Sequence, residues 1–168
     1  MDDPGNGPYS RAPELEDLLN LCRALNEEGV RYCLIGGFAV ILHGFVRGTK
    51  DIDLLIDPDP DNVAALKRAM SYLPDNAAAL LADDEVASYE VVRVADEIVV
   101  DLLGQACGVR FDHVADEGLE RHAVEGVEVP VASKEVLIRT KDTIRESDHQ
   151  DVRFLRARIE EERHRDGA

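Results

Sequence analysis

Residues Tyr32 to Asp57 read YCLIGGFAVILHGFVRGTKDIDLLID. Tyr32, Cys33, Leu34 and Ile35 form an unbroken apolar run of strand length. Gly36-Gly37 ends it at a corner where side chains would obstruct a close approach to the backbone. The pattern predicts a short helix over Phe38–His43, a polar loop through Gly44, Arg47, Gly48, Thr49 and Lys50, and a second strand opening with Asp51-Ile52-Asp53-Leu54. Successive strand side chains point to opposite faces, so Asp51 and Asp53 project together while Ile52 and Leu54 enter the core. Two carboxylates held side by side repel each other and lose hydration, which favours a cation.

Each half of this stretch is weak evidence when taken singly. Gly36-Gly37 can present backbone N–H groups to a phosphate at a helix start. It can equally be a plain turn, and a lone D-x-D can simply face water. Thirteen residues separate Gly37 from Asp51, an apolar residue precedes the glycines, and apolar residues alternate with the acids. In that combination the pattern is far more specific. Ile35-Gly36-Gly37 followed by Asp51-Ile52-Asp53-Leu54 resembles the signature of the DNA polymerase β-type nucleotidyltransferase superfamily. The longer spelling, with Ala39, His43-Gly44, Arg47 and Thr49 leading into the acids, is similar to the small prokaryotic branch of AbiEii-like and minimal nucleotidyltransferases. Members of that branch often occur in toxin–antitoxin or abortive-infection systems. Gly37 stands where many relatives have Ser, a departure the family tolerates.

The chain has 168 residues, so one domain is expected, large enough to bury a core without metal or disulfide staples. A net charge of −16 repels phosphate in the mean field and argues against non-specific nucleic-acid binding. A polynucleotide partner would need a local basic patch. With no Trp and few aromatics, base stacking on an aromatic platform is poorly supported. Cys22, Cys33 and Cys107 form no C-x-x-C pair and fit a reducing cytosol as small core residues. The start MDDPGNGPYS lacks the marks of a leader, and no apolar run reaches membrane-spanning length, so a cytoplasmic protein with no membrane partner is expected.

The expected fold class is α/β (α+β): a small mixed sheet flanked by helices, with a C-terminal helical extension. Residues 1–11 read as a disordered tail, 12–132 as the core and 133–168 as helices packed on it. Leu15, Leu18, Leu19, Cys22 and Leu25 recur at helical spacing before a stop at Gly29. Val63, Leu66, Met70 and Leu73 form a second amphipathic helix ended by Pro74, and a further short helix is placed at 75–82. Tyr89–Val94 and Glu97–Leu102 read as strands joined at Ala95-Asp96, and residues 105–118 give no clear pattern. Arg121–Val124 and Val127–Val131 suit a hairpin around Glu125-Gly126. Ser133 caps a helix through Val136, Leu137, Ile138 and Lys141, and Val152, Leu155 and Ile159 mark the last helix.

Asp101 interrupts the apolar run Ile98-Val99-Val100-Asp101-Leu102-Leu103. It can be a strand-end residue with satisfied hydrogen bonds. A charge there is nonetheless rarely buried without a partner, and a cation at Asp51 and Asp53 supplies one. The family resemblance places a third carboxylate on a later strand, and Asp101 matches that position better than Asp96 or Glu97. It implies two Mg²⁺ ions, about 3.5–4 Å apart, held by Asp51, Asp53 and Asp101, with an NTP as substrate. Gly36 and Gly37 would cradle its phosphates.

Arg47, Thr49 and Lys50 lie close in sequence to the acids and complete the nucleotide-binding set with Lys141. Lys134, Lys141 and Arg145 fall on one helical face at spacings of seven and four. For Lys141 the resemblance implies triphosphate contact. The alternative for each is a solvated cation balancing nearby acids. His43 reads as a ring closing its short helix, and His113, His122, His149 and His164 show no metal-ligand spacing. The leading function is NMP transfer from an NTP to a hydroxyl of a small molecule, tRNA or protein, in a system that pairs the enzyme with a cognate partner protein. The alternatives are a silent nucleotide-binding module and a structural partner subunit.

Overall fold

The computed structural model describes residues 10–167, and its sheet is built around the two strands that flank the glycine corner. Helix α1 (Leu15–Glu27) precedes β1 (Tyr32–Ile35), α2 (Gly36–Leu42), β2 (Ile52–Ile56) and α3 (Pro60–Ala69). Next come a one-turn α4 (Glu85–Ser88), β3 (Val92–Ala95) and β4 (Val99–Leu103). A small hairpin of β5 (Gln105–Ala106) and β6 (Val109–Arg110) leads into α5 (Phe111–Glu117). The chain closes with β7 (Leu119–Val124), β8 (Val127–Ala132), α6 (Lys134–Thr140) and α7 (Glu146–Asp166).

Six strands form one mixed sheet in the order β3-β4-β2-β1-β8-β7. The strands β1 and β2 pair antiparallel, while β2 with β4 and β1 with β8 are parallel. β1 and β2 are covered by helices, and their run of buried Leu and Ile follows from that. α1 packs with α3 and against β8, while α2 packs on β1 and β2 and touches α6. Gly29, at φ +66°, stops α1 as expected. The hairpin turn at Glu125-Gly126 has positive φ at both residues, the two-residue geometry that matches strand twist.

The expected mixed sheet with flanking helices is present, and the boundaries moved in four places. The second short helix begins at Gly36 rather than Phe38. The β3–β4 turn falls at Asp96–Ile98 because the buried Asp96 carboxylate gathers the N–H groups of Asp75, Ala77 and Glu97 at 2.8–3.0 Å. These three bonds outweigh burial and hold Asp96 below the usual carboxylate range, and they tie it into the turn. Residues 105–118, without a pattern in the sequence, form the β5–β6 hairpin and α5. Of the segment read as a tail, residues 1–9 lie outside the described residues; Ser10 and Arg11 bond to the backbone carbonyls of Asp96 and Glu97. Cys22 and Cys33 are buried as expected, but Cys107 is exposed, with Sγ 3.3 Å from the Thr140 carbonyl oxygen. Among the described residues no helix is long and apolar enough to cross a membrane.

Candidate active site

Asp53 is the register partner of both Ile35 on β1 and Asp101 on β4, so the sheet itself sets the carboxylates beside the glycine corner. Asp51 stands one residue ahead of β2. One carboxylate oxygen from each of Asp51, Asp53 and Asp101 lies within 4.8 Å of the others. Burial, and then the charges of Asp51 and Asp101, push the Asp53 carboxyl up to about 7. Asp51 is raised as well, by burial first and then by Asp101. The all-oxygen donor set of this site fits a hard divalent ion such as Mg²⁺.

One cation is already there. Arg93 on β3 donates to both oxygens of Asp101, from Nε and Nη2 at 2.9 Å each, and Nη2 also reaches Asp51 Oδ2 at 3.2 Å. The sequence reading missed this residue. The available signal was the pairing of β3 with β4, which sets Arg93 directly opposite Asp101.

The glycine corner is tight. Gly36 has φ +70°, and a Cβ there would lie 2.0 Å from Asp53 Oδ2. A Cβ on Gly37 would lie 2.6 Å from Thr49 Oγ1 and 3.0 Å from Arg47 Nη1. The loop before β2 is therefore folded onto the corner, with Thr49 Oγ1 donating to the Asp51 carbonyl oxygen at 3.1 Å. Gly36 and Gly37 open α2, where backbone N–H groups have no intrahelical acceptor. Arg47 Nη1 is buried with no hydrogen-bond acceptor among the described residues. An unmatched donor at this corner suits an anion. Lys50 is exposed in the same loop.

Lys141 is buried behind this corner. Its Nζ lies 2.9 Å from Asp151 Oδ2, off hydrogen-bond geometry, and 3.4 Å from Asp148 Oδ1. Arg47 Nε reaches Asp151 Oδ1 at 3.5 Å, and Thr143 and Arg145 donate to Asp148. The Thr143 hydroxyl, Lys141 and Arg145 together outweigh the effect of burial and hold Asp148 below the usual carboxylate range. The predicted common face of Lys134, Lys141 and Arg145 does not form. Helix α6 ends at Thr140, so Lys141 lies past its end and Arg145 caps α7, while Lys134 pairs with Glu162.

A cavity of about 870 Å³ is not lined by the three acids. Lys141 and Thr143 line it, and Arg139, Arg153 and Arg156 give it a local basic patch on an acidic chain. It shares Lys141 with the ion network beside the glycine corner.

The fold is that of a nucleotidyltransferase. Residues 14–165 match the family described as nucleotidyl transferase of unknown function (DUF2204), and the chain belongs to that family. Three solved structures share the fold. The lincosamide antibiotic adenylyltransferase LnuA in its lincomycin-bound form is 18% identical with a TM-score of 0.56, over 88% of this chain and 98% of that one. A candidate nucleotidyltransferase from Thermotoga maritima is 19% identical with a TM-score of 0.53, over 88% and 92%. An antigenic nucleotidyltransferase-like protein from Paracoccidioides brasiliensis is 20% identical with a TM-score of 0.54, over 89% and 77%. A comparison with curated proteins gave no match.

Proposed function

We infer that this nucleotidyl transferase moves an NMP from an NTP to an acceptor hydroxyl, with Asp51, Asp53 and Asp101 as metal ligands and catalytic carboxylates. The observation that carries this reading is the convergence of the three carboxylates at one spot beside Gly36. The three carboxylates would hold divalent ions, two Mg²⁺ in the simplest case, which would supply charge neutralisation on the entering and leaving oxygens. In this reading the backbone N–H groups of Gly36 and Gly37 and the unmatched Arg47 Nη1 take the phosphates. Thr49 fixes the loop, and Lys50 and Lys141 add positive charge. Asp101 accepts the acceptor proton once Arg93 has withdrawn from it. The acceptor is a small molecule, a protein side chain or a tRNA end, and the last would use the basic patch at Arg139, Arg153 and Arg156. An AbiEii-like role in a toxin–antitoxin pair, with a cognate partner protein and a cytoplasmic location, belongs to the same reading.

Arg93 on Asp101 and Asp51 favours a second reading, a nucleotide-binding module without turnover. Incubation of the full chain with each labelled NTP, Mg²⁺ and cell extract, read by mass spectrometry, separates the two. Transfer of an NMP that disappears in Asp51→Asn and Asp53→Asn supports the enzyme. Nucleotide binding that needs no metal and survives both changes, with no transfer, supports the module.

A further inference from the structure

At the end of α2 away from the glycine corner, His43, Glu120 and His122 bring one ligand atom each to within 4.8 Å of one another. Glu120 and His122 are alternate residues of β7 and share a face, while His43 caps α2 and meets them from the neighbouring layer. His43 Nε2 lies 3.0 Å from the Ala132 carbonyl oxygen. A carbonyl only accepts, so in this bond Nε2 carries the hydrogen and Nδ1 keeps its lone pair, free to ligate a metal. The two rings meet edge to face with centroids 5.4 Å apart, and His122 Nε2 is 3.3 Å from Glu120 Oε1. Two ligands about 2.1 Å from one tetrahedral ion stand about 3.4 Å apart, so this pair is already at working distance.

Two of the three cations beside these residues are matched elsewhere. In the 260 Å³ cavity beside them, Lys134 pairs with Glu162 at 3.1 Å and Arg158 with Glu161 at 3.2 Å. Arg165 also lines this cavity. Among the described residues, Glu120 has His122 as its ion-pair partner and neither a lysine nor an arginine. This differs from the acid site, where Arg93 bonds two of the three carboxylates.

We propose that His43, Glu120 and His122 form a second metal site, separate from the acid site, that takes a borderline transition-metal ion, Zn²⁺ foremost. Two imidazoles and one carboxylate suit such an ion, whereas a hard ion such as Mg²⁺ prefers oxygen donors. Three protein ligands leave a fourth position open to the cavity. The ion ties β7 to the C-terminal end of the helix whose other end is Gly36-Gly37, so it braces that corner without entering the transfer reaction.

The test uses the full chain, stripped with chelator and titrated with Co²⁺ near neutral pH. One equivalent is expected to enter a tetrahedral environment, seen as intense visible absorption, and to be displaced by Zn²⁺ with a rise in Tm. Because His43 is buried and its loss can unfold the chain, Glu120→Gln and His122→Gln carry the test. Each should weaken Co²⁺ binding about tenfold or more and abolish the tetrahedral spectrum. The Asp51→Asn, Asp53→Asn double variant should keep both. An absent or octahedral spectrum overturns the site. So does one that survives the two β7 changes, or one lost only with the aspartates.

Discussion

Arg93 and Asp101 face one another as register partners across β3 and β4, and the guanidinium closes on both carboxylate oxygens at 2.9 Å. With its reach to Asp51, Arg93 neutralises part of the charge that a divalent ion would otherwise neutralise. The two compete for the same oxygens. Arg93→Met is therefore expected to tighten Mg²⁺ binding several-fold, about 1 kcal/mol given the arginine's partial exposure. Isothermal titration with Mg²⁺ reads the change directly. Weaker binding in the variant would mean that Arg93 holds Asp101 in position rather than competing for it.

Asp53 sets a pH dependence of the metal-free chain. Its folded pKa of about 7 lies above the ordinary value of about 3.9. Between those two values the native state keeps a proton that the unfolded chain has released. Stability therefore falls as pH rises through that window and levels off above it. Asp53→Asn removes this slope. Its Tm should exceed that of the natural chain by a few degrees at about pH 8 and match it near pH 4. On the inferred reaction, NMP transfer by the variant should fall about a hundredfold or more. Calorimetry of both proteins at the two pH values decides. Equal slopes would show that the charges of Asp51 and Asp101 are relieved in solution.

Gly36 combines a backbone demand with a contact, and the two can be separated. Any L side chain at φ +70° costs about 1–2 kcal/mol. At this corner the new Cβ also displaces the Asp53 carboxylate, which stands 2.0 Å away. Gly29 has φ +66° and nothing within 4 Å of a Cβ, so Gly29→Ala measures the backbone term alone. Gly36→Ala is expected to lose more stability in urea than Gly29→Ala and, unlike it, to lose divalent-ion binding. Equal losses with binding intact would remove the corner's role in placing Asp53.

The strands and acids near the corner were legible because each rests on a short-range pattern. The run Tyr32–Ile35, the alternation from Asp51 to Leu54 and the single charge inside Ile98–Leu103 all report burial residue by residue. Arg93 was not legible in the same way, since its target depends on the β3–β4 register, and that depends on where Asp96 turns the chain. The basic face of Lys134, Lys141 and Arg145 failed for a related reason. Helical spacing holds only while the helix lasts, and α6 stops at Thr140. His43 and His122 are distant in sequence and meet because β7 pairs with β8 and the His43 ring bonds to the end of β8. Local periodicity carries no trace of that meeting.

Lys141 was expected to touch triphosphate, yet its ammonium is buried against Asp151 and Asp148. Removing one member of a buried ion network leaves uncompensated charge and costs about 3–5 kcal/mol. Lys141→Met should therefore destabilise the chain by that order in the absence of nucleotide and metal, as measured in urea. Replacing its main partner as well, in Lys141→Met with Asp151→Leu, removes that carboxylate but takes a partner from Arg47 Nε, so it should recover only part of the loss. If Lys141 also serves the triphosphate through its charge, the double variant binds NTP more weakly than an Asp151→Leu single variant, in which Arg47 has lost the same partner. A single variant that keeps full stability and loses only NTP affinity would instead make Lys141 a ligand-facing group and Asp151 its dispensable support.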